Sequence, residues 1–173
     1  MPYRTETYIA ADWDNDKAAV DQLYSWKNNG RLSLDFHDAH ELTQARDTSL
    51  PCSIKSSLKT RMDVSKTFVL IVGSGTDSVT KGGCWYCGSY NSWTGACARG
   101  HSIDTRSFIK YECDEAVAAG INIIVLYNST VVDKKRCPEA VRNIGRHVPM
   151  RKWMNGTRNW DYDSVKKAFD KIQ

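Results

Sequence analysis

Four residues in the middle of the chain combine the side chains and the spacing that bind zinc. Cys84 and Cys87 form a C-x2-C pair, and Cys97 and His101 follow as C-x3-H. Four such ligands complete a tetrahedral site with no open position, which is typical of structural zinc. We therefore expect a zinc knuckle in an insert that covers about residues 77–106. The alternative is a long loop of reduced thiols, ordered by local aromatic packing.

A single carboxylate, Glu112, follows this insert near the start of a predicted helix. The helix lies between two continuous apolar, β-branched runs, residues 66–73 and 121–127, which indicate buried central strands of a parallel sheet. In such sheets, ligands bind where the carboxyl ends of strands open into loops and helix starts. Glu112 is therefore expected to face a ligand-binding crevice. An ordinary solvent-facing helix glutamate is the alternative.

The hydrophobic patterns around this carboxylate alternate between strand and helix periods. Strands are predicted at residues 7–11, 32–36, 66–73, 121–127 and 151–154. Helices are predicted at residues 17–27, around 54–62, from about 108 to 120, at 139–144, and at the end of the chain with Asp161 or Asp163 near the cap. The helix of Glu112 is expected to turn Ile109, Cys113, Ala116 and Val117 inward.

This order of elements predicts an α/β fold class. We expect one doubly wound, flavodoxin-like domain over residues 1–173, with a five-stranded parallel sheet in the order 2-1-3-4-5. The Cys-rich insert lies between the third strand and the following helix.

The first and third predicted strands flank the point where the strand order reverses. A substrate-binding site there would be lined by Ala11, Asp12 and Trp13 from one side. Ser74 and Gly75 would line it from the other side, and Glu112 would close it.

Composition limits the classes of protein to consider. The chain has 24 basic and 20 acidic residues, a net charge of +4, and no apolar run that approaches the ~20 residues needed to span a bilayer. Its N-terminus has no apolar signal core, so we expect a soluble, cytoplasmic protein that does not act at a membrane. Six cysteines in that compartment favour thiols or metal ligands over disulfides. The insert is only weakly basic, which does not favour nucleic-acid binding.

Three segments, taken in order, carry a family resemblance: residues 34–41 with the turn Asp38-Ala39-His40-Glu41, residues 54–73, and residues 108–112. This combination resembles the TIR-like proteins of the MTH538 type, in the branch that includes the TIR proteins of Thoeris anti-phage defence. The resemblance covers roughly residues 7–130. The Cys-containing insert and the opening strand depart from the usual TIR pattern.

The resemblance implies cleavage of NAD+ as substrate, with Glu112 as the catalytic carboxylate. Glycosidases use two carboxylates because a sugar leaving group must be protonated. Nicotinamide leaves a cationic ring and departs neutral, so one carboxylate that stabilises the ribose oxocarbenium can suffice. The family further implies a (cyclic) ADP-ribose-type signalling nucleotide that acts on a downstream effector, and a possible homo-oligomer.

Candidate roles can also be given to the other residues of this implied site. His40 could bond a ribose hydroxyl or act as a base, and the alternative is a loop histidine that bonds to backbone carbonyls. Asp38 lies in the same turn as a candidate substrate-binding residue, and it is expected to form the turn rather than to catalyse. The amides at Ser74 and Gly75 could approach phosphates, and Trp13 could stack on a ring.

Other functions remain to be weighed against NAD+ cleavage. A non-catalytic TIR-like signalling or assembly module fits the same sequence. A phosphoryl-accepting receiver domain does not, because it requires an aspartate at the end of the third strand, where this chain has Gly73 and Ser74. Hydride transfer is disfavoured, since no G-x-G-x-x-G follows the first strand.

Overall fold

The computed structural model describes residues 3–39 and 50–172. The strands are β1 Glu6–Ala10, β2 Ser65–Val72, β3 Tyr90–Asn91, β4 Ala96–Cys97, β5 Asn122–Tyr127, β6 Arg146–Pro149, β7 Arg151–Met154 and β8 Thr157–Trp160. The α-helices are α1 Lys17–Lys27, α2 Pro51–Asp63, α3 Phe108–Ala118 and α4 Tyr162–Asp170. The predicted helix at residues 17–27 is confirmed, and Asp161 caps α4 by accepting a hydrogen bond from the Ser164 amide at 3.3 Å.

A parallel sheet of four strands, in the order β1-β2-β5-β6, forms the centre of the domain. The predicted five-strand order is not confirmed. Residues 32–36 form no strand, and the chain just after them pairs with β1 through an isolated bridge between Thr7 and Asp38. The α/β class and the parallel sheet are confirmed.

The last part of the sheet differs from the prediction. Residues 151–154 were expected to join it, but β7 pairs with β8 in a separate hairpin, and β6 is the edge strand. The predicted helix at residues 139–144 is only a 3-10 turn, Glu139–Val141. Gly145, with φ of +76°, turns the chain into β6 so closely that a Cβ there would lie 2.5 Å from the Ile123 carbonyl oxygen. An edge strand with mixed polarity has no apolar run to reveal it.

Helices cover both faces of the sheet, which explains why β2 and β5 are apolar along their whole length. On one face, buried residues of α2 and α3 pack against Tyr8, Phe68 and Val125. On the other, α1 and α4 pack against Ile9, Val69 and neighbouring strand residues. Val117, which was expected to point inward, is 41% exposed.

The insert between β2 and α3 contains two 3-10 turns, Thr76–Ser78 and Cys84–Tyr86, and the antiparallel pair β3–β4. Its regular structure is short, so most of its order must come from turns and side-chain contacts. Among the helices that the structure describes, none has the length and apolar character to cross a membrane.

Gly120 ends α3 with φ of +62°, a left-handed conformation that favours glycine. A Cβ added at Gly120 or at Gly30 would meet none of the described atoms within 4 Å, so crowding is not an issue at either position. We predict that Gly120→Ala lowers the free energy of unfolding by about 1 kcal/mol through backbone strain alone. Gly30→Ala, which lacks a positive φ, should cause no such loss in the same urea denaturation. Equal effects of the two substitutions would contradict this explanation.

Candidate active site

The carboxyl ends of β1, β2 and β5 meet at one edge of the sheet. Ala10 is in register with Leu70, and Val72 is in register with Tyr127. Five of the residues expected to bind substrate leave this edge: Ala11, Asp12 and Trp13 after β1, and Ser74 and Gly75 after β2. The structure therefore brings the two predicted sides of the crevice to a common edge.

The loop after β1 is ordered by its own hydrogen bonds. The Asp12 carboxylate accepts from the Asp14 amide at 3.3 Å and from Asn15 Nδ2 at 2.6 Å. Ala11 is buried, whereas Trp13 is 46% exposed. Asp12 is thus occupied in shaping the turn, and Trp13 presents its indole at the surface.

The loop after β2 is also ordered by hydrogen bonds between its own residues. The Gly73 amide donates to Thr76 Oγ1 at 2.8 Å, and the Ser78 hydroxyl donates to the Gly75 carbonyl at 2.8 Å. Ser74 is exposed between them. Ser74 therefore lies on the solvent side of a fixed turn.

Asp16 connects the three strand ends. It stands at the N-terminus of α1, but its side chain makes no capping bond. Instead, its Oδ1 accepts from Asn128 Nδ2, directly after β5, at 2.9 Å, and a Cβ on Gly73 would collide with the carboxylate. Its Oδ2 is buried and has no hydrogen-bond partner among the described residues. Burial raises the pKa of Asp16, and the Asn128 bond opposes that rise.

Arg151 of the β7–β8 hairpin extends the hydrogen-bonded pair of Asp16 and Asn128. Arg151 Nε donates to Asn128 Oδ1 at 3.0 Å, and its guanidinium lies 3.6 Å from the centre of the Trp160 ring. Stacking on an aromatic face holds a guanidinium in one orientation. The hairpin thereby supports the loop after β5.

Glu112 lies below this edge, in the second turn of α3, and is only 7% exposed. The Tyr8 hydroxyl, from the middle of β1, donates to Glu112 Oε1 at 2.5 Å. Both side chains are buried on the face of the sheet that α2 and α3 cover. Glu112 is therefore a buried carboxylate with a specific partner, and the surface-glutamate interpretation is wrong.

Burial raises the pKa of Glu112 to about 7, although the Tyr8 hydrogen bond and the positive charge of Arg61 favour the ionised form. A carboxyl group with a pKa near neutrality can change its protonation state under working conditions. Such groups concentrate at functional sites.

The start of α3 is fixed by the end of the insert. Ser107 caps the helix through a bond from the Lys110 amide at 3.2 Å, and the Phe108 amide donates to the Lys81 carbonyl at 2.9 Å. Gly82, with φ of +101°, lies against the Phe108 ring, where a Cβ would approach to 2.5 Å. The insert therefore determines where α3 begins, and so where Glu112 lies.

The predicted site residues near position 38 have different placements. The buried Asp38 carboxylate accepts a hydrogen bond from the Tyr24 hydroxyl, and the neighbouring His37 carbonyl accepts from the Thr7 amide at 2.6 Å. Asp38 thus joins α1 to β1, where it is bridged to Thr7. His40 lies outside the described residues.

The predicted zinc ligands line one small void in the insert. Cys84, Cys87, Cys97 and His101 all border it, and so does Cys52 of α2. All six cysteines are free thiols. In residues 3–39 and 50–172, no three His, Cys, Asp or Glu side chains are already grouped as a metal site.

A covered parallel sheet, with polar loops at its carboxyl edge and a buried carboxylate beside it, defines a doubly wound α/β domain. The family described as Thoeris protein ThsB, TIR-like domain, matches residues 8–81. Residues 8–81 are thus similar to a TIR-like domain of the Thoeris type, which confirms the resemblance found in the sequence over that part of the chain. The match spans less than half of the chain and ends before the insert cysteines and Glu112. A search of curated proteins found no match.

Sequence reasoning missed Tyr8, Asp16, Asn128 and Cys52. Tyr8 and Asn128 looked like ordinary strand and loop residues, because their partners are more than 100 positions away. Asp16 directly precedes α1, where an aspartate is an ordinary helix cap, and nothing local indicates that its side chain bonds to Asn128. Of these four residues, Cys52 could have been noticed in the sequence, because it is an unassigned cysteine in a chain with a cysteine-rich insert.

The raised pKa of Glu112 leads to a prediction of how the stability of the protein depends on pH. Between its ordinary value of 4.5 and about 7, the folded protein keeps a proton that the unfolded chain has lost. The contribution of this group to stability is therefore fully present below pH 4.5 and is lost as the pH rises through 7. Each pH unit in that window removes up to about 1.4 kcal/mol. Relative to wild type, Glu112→Gln should thus become more stable between pH 5 and pH 8.

Urea denaturation of the two proteins across that range measures the difference. Glu115→Gln is the matched control, since Glu115 lies one turn later on α3 and pairs with Lys59 at 3.3 Å near the surface. A stability difference between Glu112→Gln and wild type that does not change with pH would contradict a raised pKa.

Proposed function

We propose that this protein cleaves the bond between nicotinamide and ribose in NAD+, with Glu112 as the catalytic residue. The observation that carries the proposal is the buried Glu112 carboxylate, bonded to Tyr8 at 2.5 Å, on the helix that follows a TIR-like match over residues 8–81. Burying a carboxylate costs free energy, so its presence in the core supports a functional role for Glu112.

The chemistry requires the ionised form of Glu112. As nicotinamide leaves, positive charge develops on the ribose, and a nearby carboxylate stabilises it more strongly in a site that excludes water. Tyr8 fixes Oε1, so Oε2 is the oxygen assigned to accept from a ribose hydroxyl. Nicotinamide departs as a neutral base, and no general acid is needed.

The rest of NAD+ would lie along the carboxyl edge of the sheet. The exposed indole of Trp13 offers a surface on which a base can stack, and the turn at Ser74 and Gly75 offers backbone amides to phosphates. The bonds among Asp16, Asn128 and Arg151 connect the segment after β1, the loop after β5 and the β7–β8 hairpin at this edge. His40 is proposed from the sequence alone as a further ribose-binding residue.

The product would be an ADP-ribose-type nucleotide, linear or cyclic. Exclusion of water after nicotinamide leaves favours attack by another part of the same molecule over hydrolysis. In a Thoeris-type protein, we infer that a cyclic product acts as a diffusible signal to an effector in anti-phage defence.

The direct test is release of nicotinamide from NAD+, with products identified by mass spectrometry. We predict that Glu112→Gln lowers the rate at least about 100-fold, because it removes the charge that stabilises the transition state. Glu115→Gln, on the same helix, should retain the wild-type rate. The wild-type rate should rise with pH through about 7, as Glu112 ionises.

Equal rates in Glu112→Gln and wild type would reject Glu112 as the catalytic residue. Absence of any turnover by the wild-type protein, both alone and in its assembled form, would favour a non-catalytic TIR-like signalling module.

A further inference from the structure

Five potential metal ligands surround a void of about 10 Å³ at the junction between the insert and α2. Cys84, Cys87, Cys97 and His101 belong to the insert, whereas Cys52 comes from the first turn of α2. Cys52 lies more than thirty residues before Cys84 in the chain, and the fold brings both to the same space.

We propose that Cys52, Cys84, Cys87 and Cys97 together bind one zinc ion, which fastens the insert to α2. Four thiolates form a closed tetrahedral site of the structural type. Cys52 competes with the sequence-based choice, His101, because His101 is exposed and follows Gly100, which has φ of +74° in a loop. The four cysteines border the void without forming a finished ligand set, so the ion would draw their sulfurs inward.

The backbone of the insert is arranged as two ligand-bearing turns. The Cys87 amide donates to the Cys84 carbonyl at 3.0 Å, and the Gly100 amide donates to the Cys97 carbonyl at 2.9 Å. The Asp104 amide donates to Cys84 Sγ at 3.2 Å. A hydrogen bond of this kind holds a ligand side chain in a fixed orientation.

A second contact already joins the same face of α2 to the insert. Lys55 follows Cys52 by three positions, so the two side chains lie on one side of the helix. Lys55 is 4% exposed, and its Nζ donates to the carbonyls of Asp104 at 3.1 Å and Arg106 at 2.7 Å. It also pairs with Asp104 Oδ1 at 3.2 Å.

The zinc ion would complete a closed path from α2 through the insert and back. Lys55 of α2 pairs with Asp104 of the insert, and the Asp104 amide bonds to Cys84 Sγ. The ion would in turn link Cys84 to Cys52 of α2. Three residues after Asp104, Ser107 caps α3. The ion would therefore stabilise the start of the helix that carries Glu112, while its binding does not depend on NAD+ cleavage.

The test is zinc analysis of the full-length protein, together with matched variants. Wild type should contain one zinc per chain, and Cys52→Ser should bind zinc at least about 100-fold more weakly, because it removes a direct ligand. His101→Ser should retain wild-type affinity. Retention of zinc by Cys52→Ser with loss in His101→Ser would overturn the proposal, and so would a stable wild-type protein that binds no zinc.

Alkylation of the wild-type protein gives a second measurement that does not require a variant to fold. Zinc should protect Cys52 from iodoacetamide together with the three insert cysteines, and a chelator should release all four, as mapped by mass spectrometry. Equal reactivity of Cys52 with and without zinc would overturn its role. Nicotinamide release is a separate assay, so failure of the zinc proposal and failure of the catalytic proposal can be told apart.

Discussion

The hydrogen bond between the Tyr8 hydroxyl and the Glu112 carboxylate is the constraint around which the rest of the structure is arranged. It joins the middle of β1 to α3 across 104 positions of sequence, inside the core. A buried carboxylate has lost its hydration, and one hydrogen bond replaces only part of it. The pKa of Glu112 consequently rises to about 7. A fold that keeps this group must position β1 and α3 closely enough to maintain the bond.

Two sets of contacts provide that positioning. On the α3 side, Gly82 packs against Phe108, and Lys55 of α2 binds the segment that precedes the Ser107 cap. On the strand side, Asp16 bonds to Asn128 and thus connects the loops after β1 and β5. The first set places Glu112, and the second fixes the edge at which we propose that NAD+ binds. The insert is therefore part of the support for the site.

Much of the fold follows from local patterns in the sequence, and the site follows only in part. The apolar runs of β2 and β5 and the helical spacing in α1 and α4 reveal their elements because both sides of a covered sheet must be apolar. β6 was missed because an edge strand needs no such run. Glu112 could be singled out from its position between two buried strands, but its partner Tyr8 could not. A hydrogen bond between residues so distant depends on strand register and helix placement, which no short pattern encodes.

The pKa of Glu112 can be measured, and it reports on both the burial of the carboxyl group and its bond to Tyr8. The carboxyl carbon of Glu112 can be followed by NMR across pH 4 to 9 in the full-length protein, with Glu112→Gln used to assign the signal. We expect titration near pH 7, moved further up when Tyr8→Phe removes the hydrogen bond that favours the ionised form. Titration of Glu112 at its ordinary value of 4.5, unchanged by Tyr8→Phe, would contradict a buried and specifically bonded carboxylate.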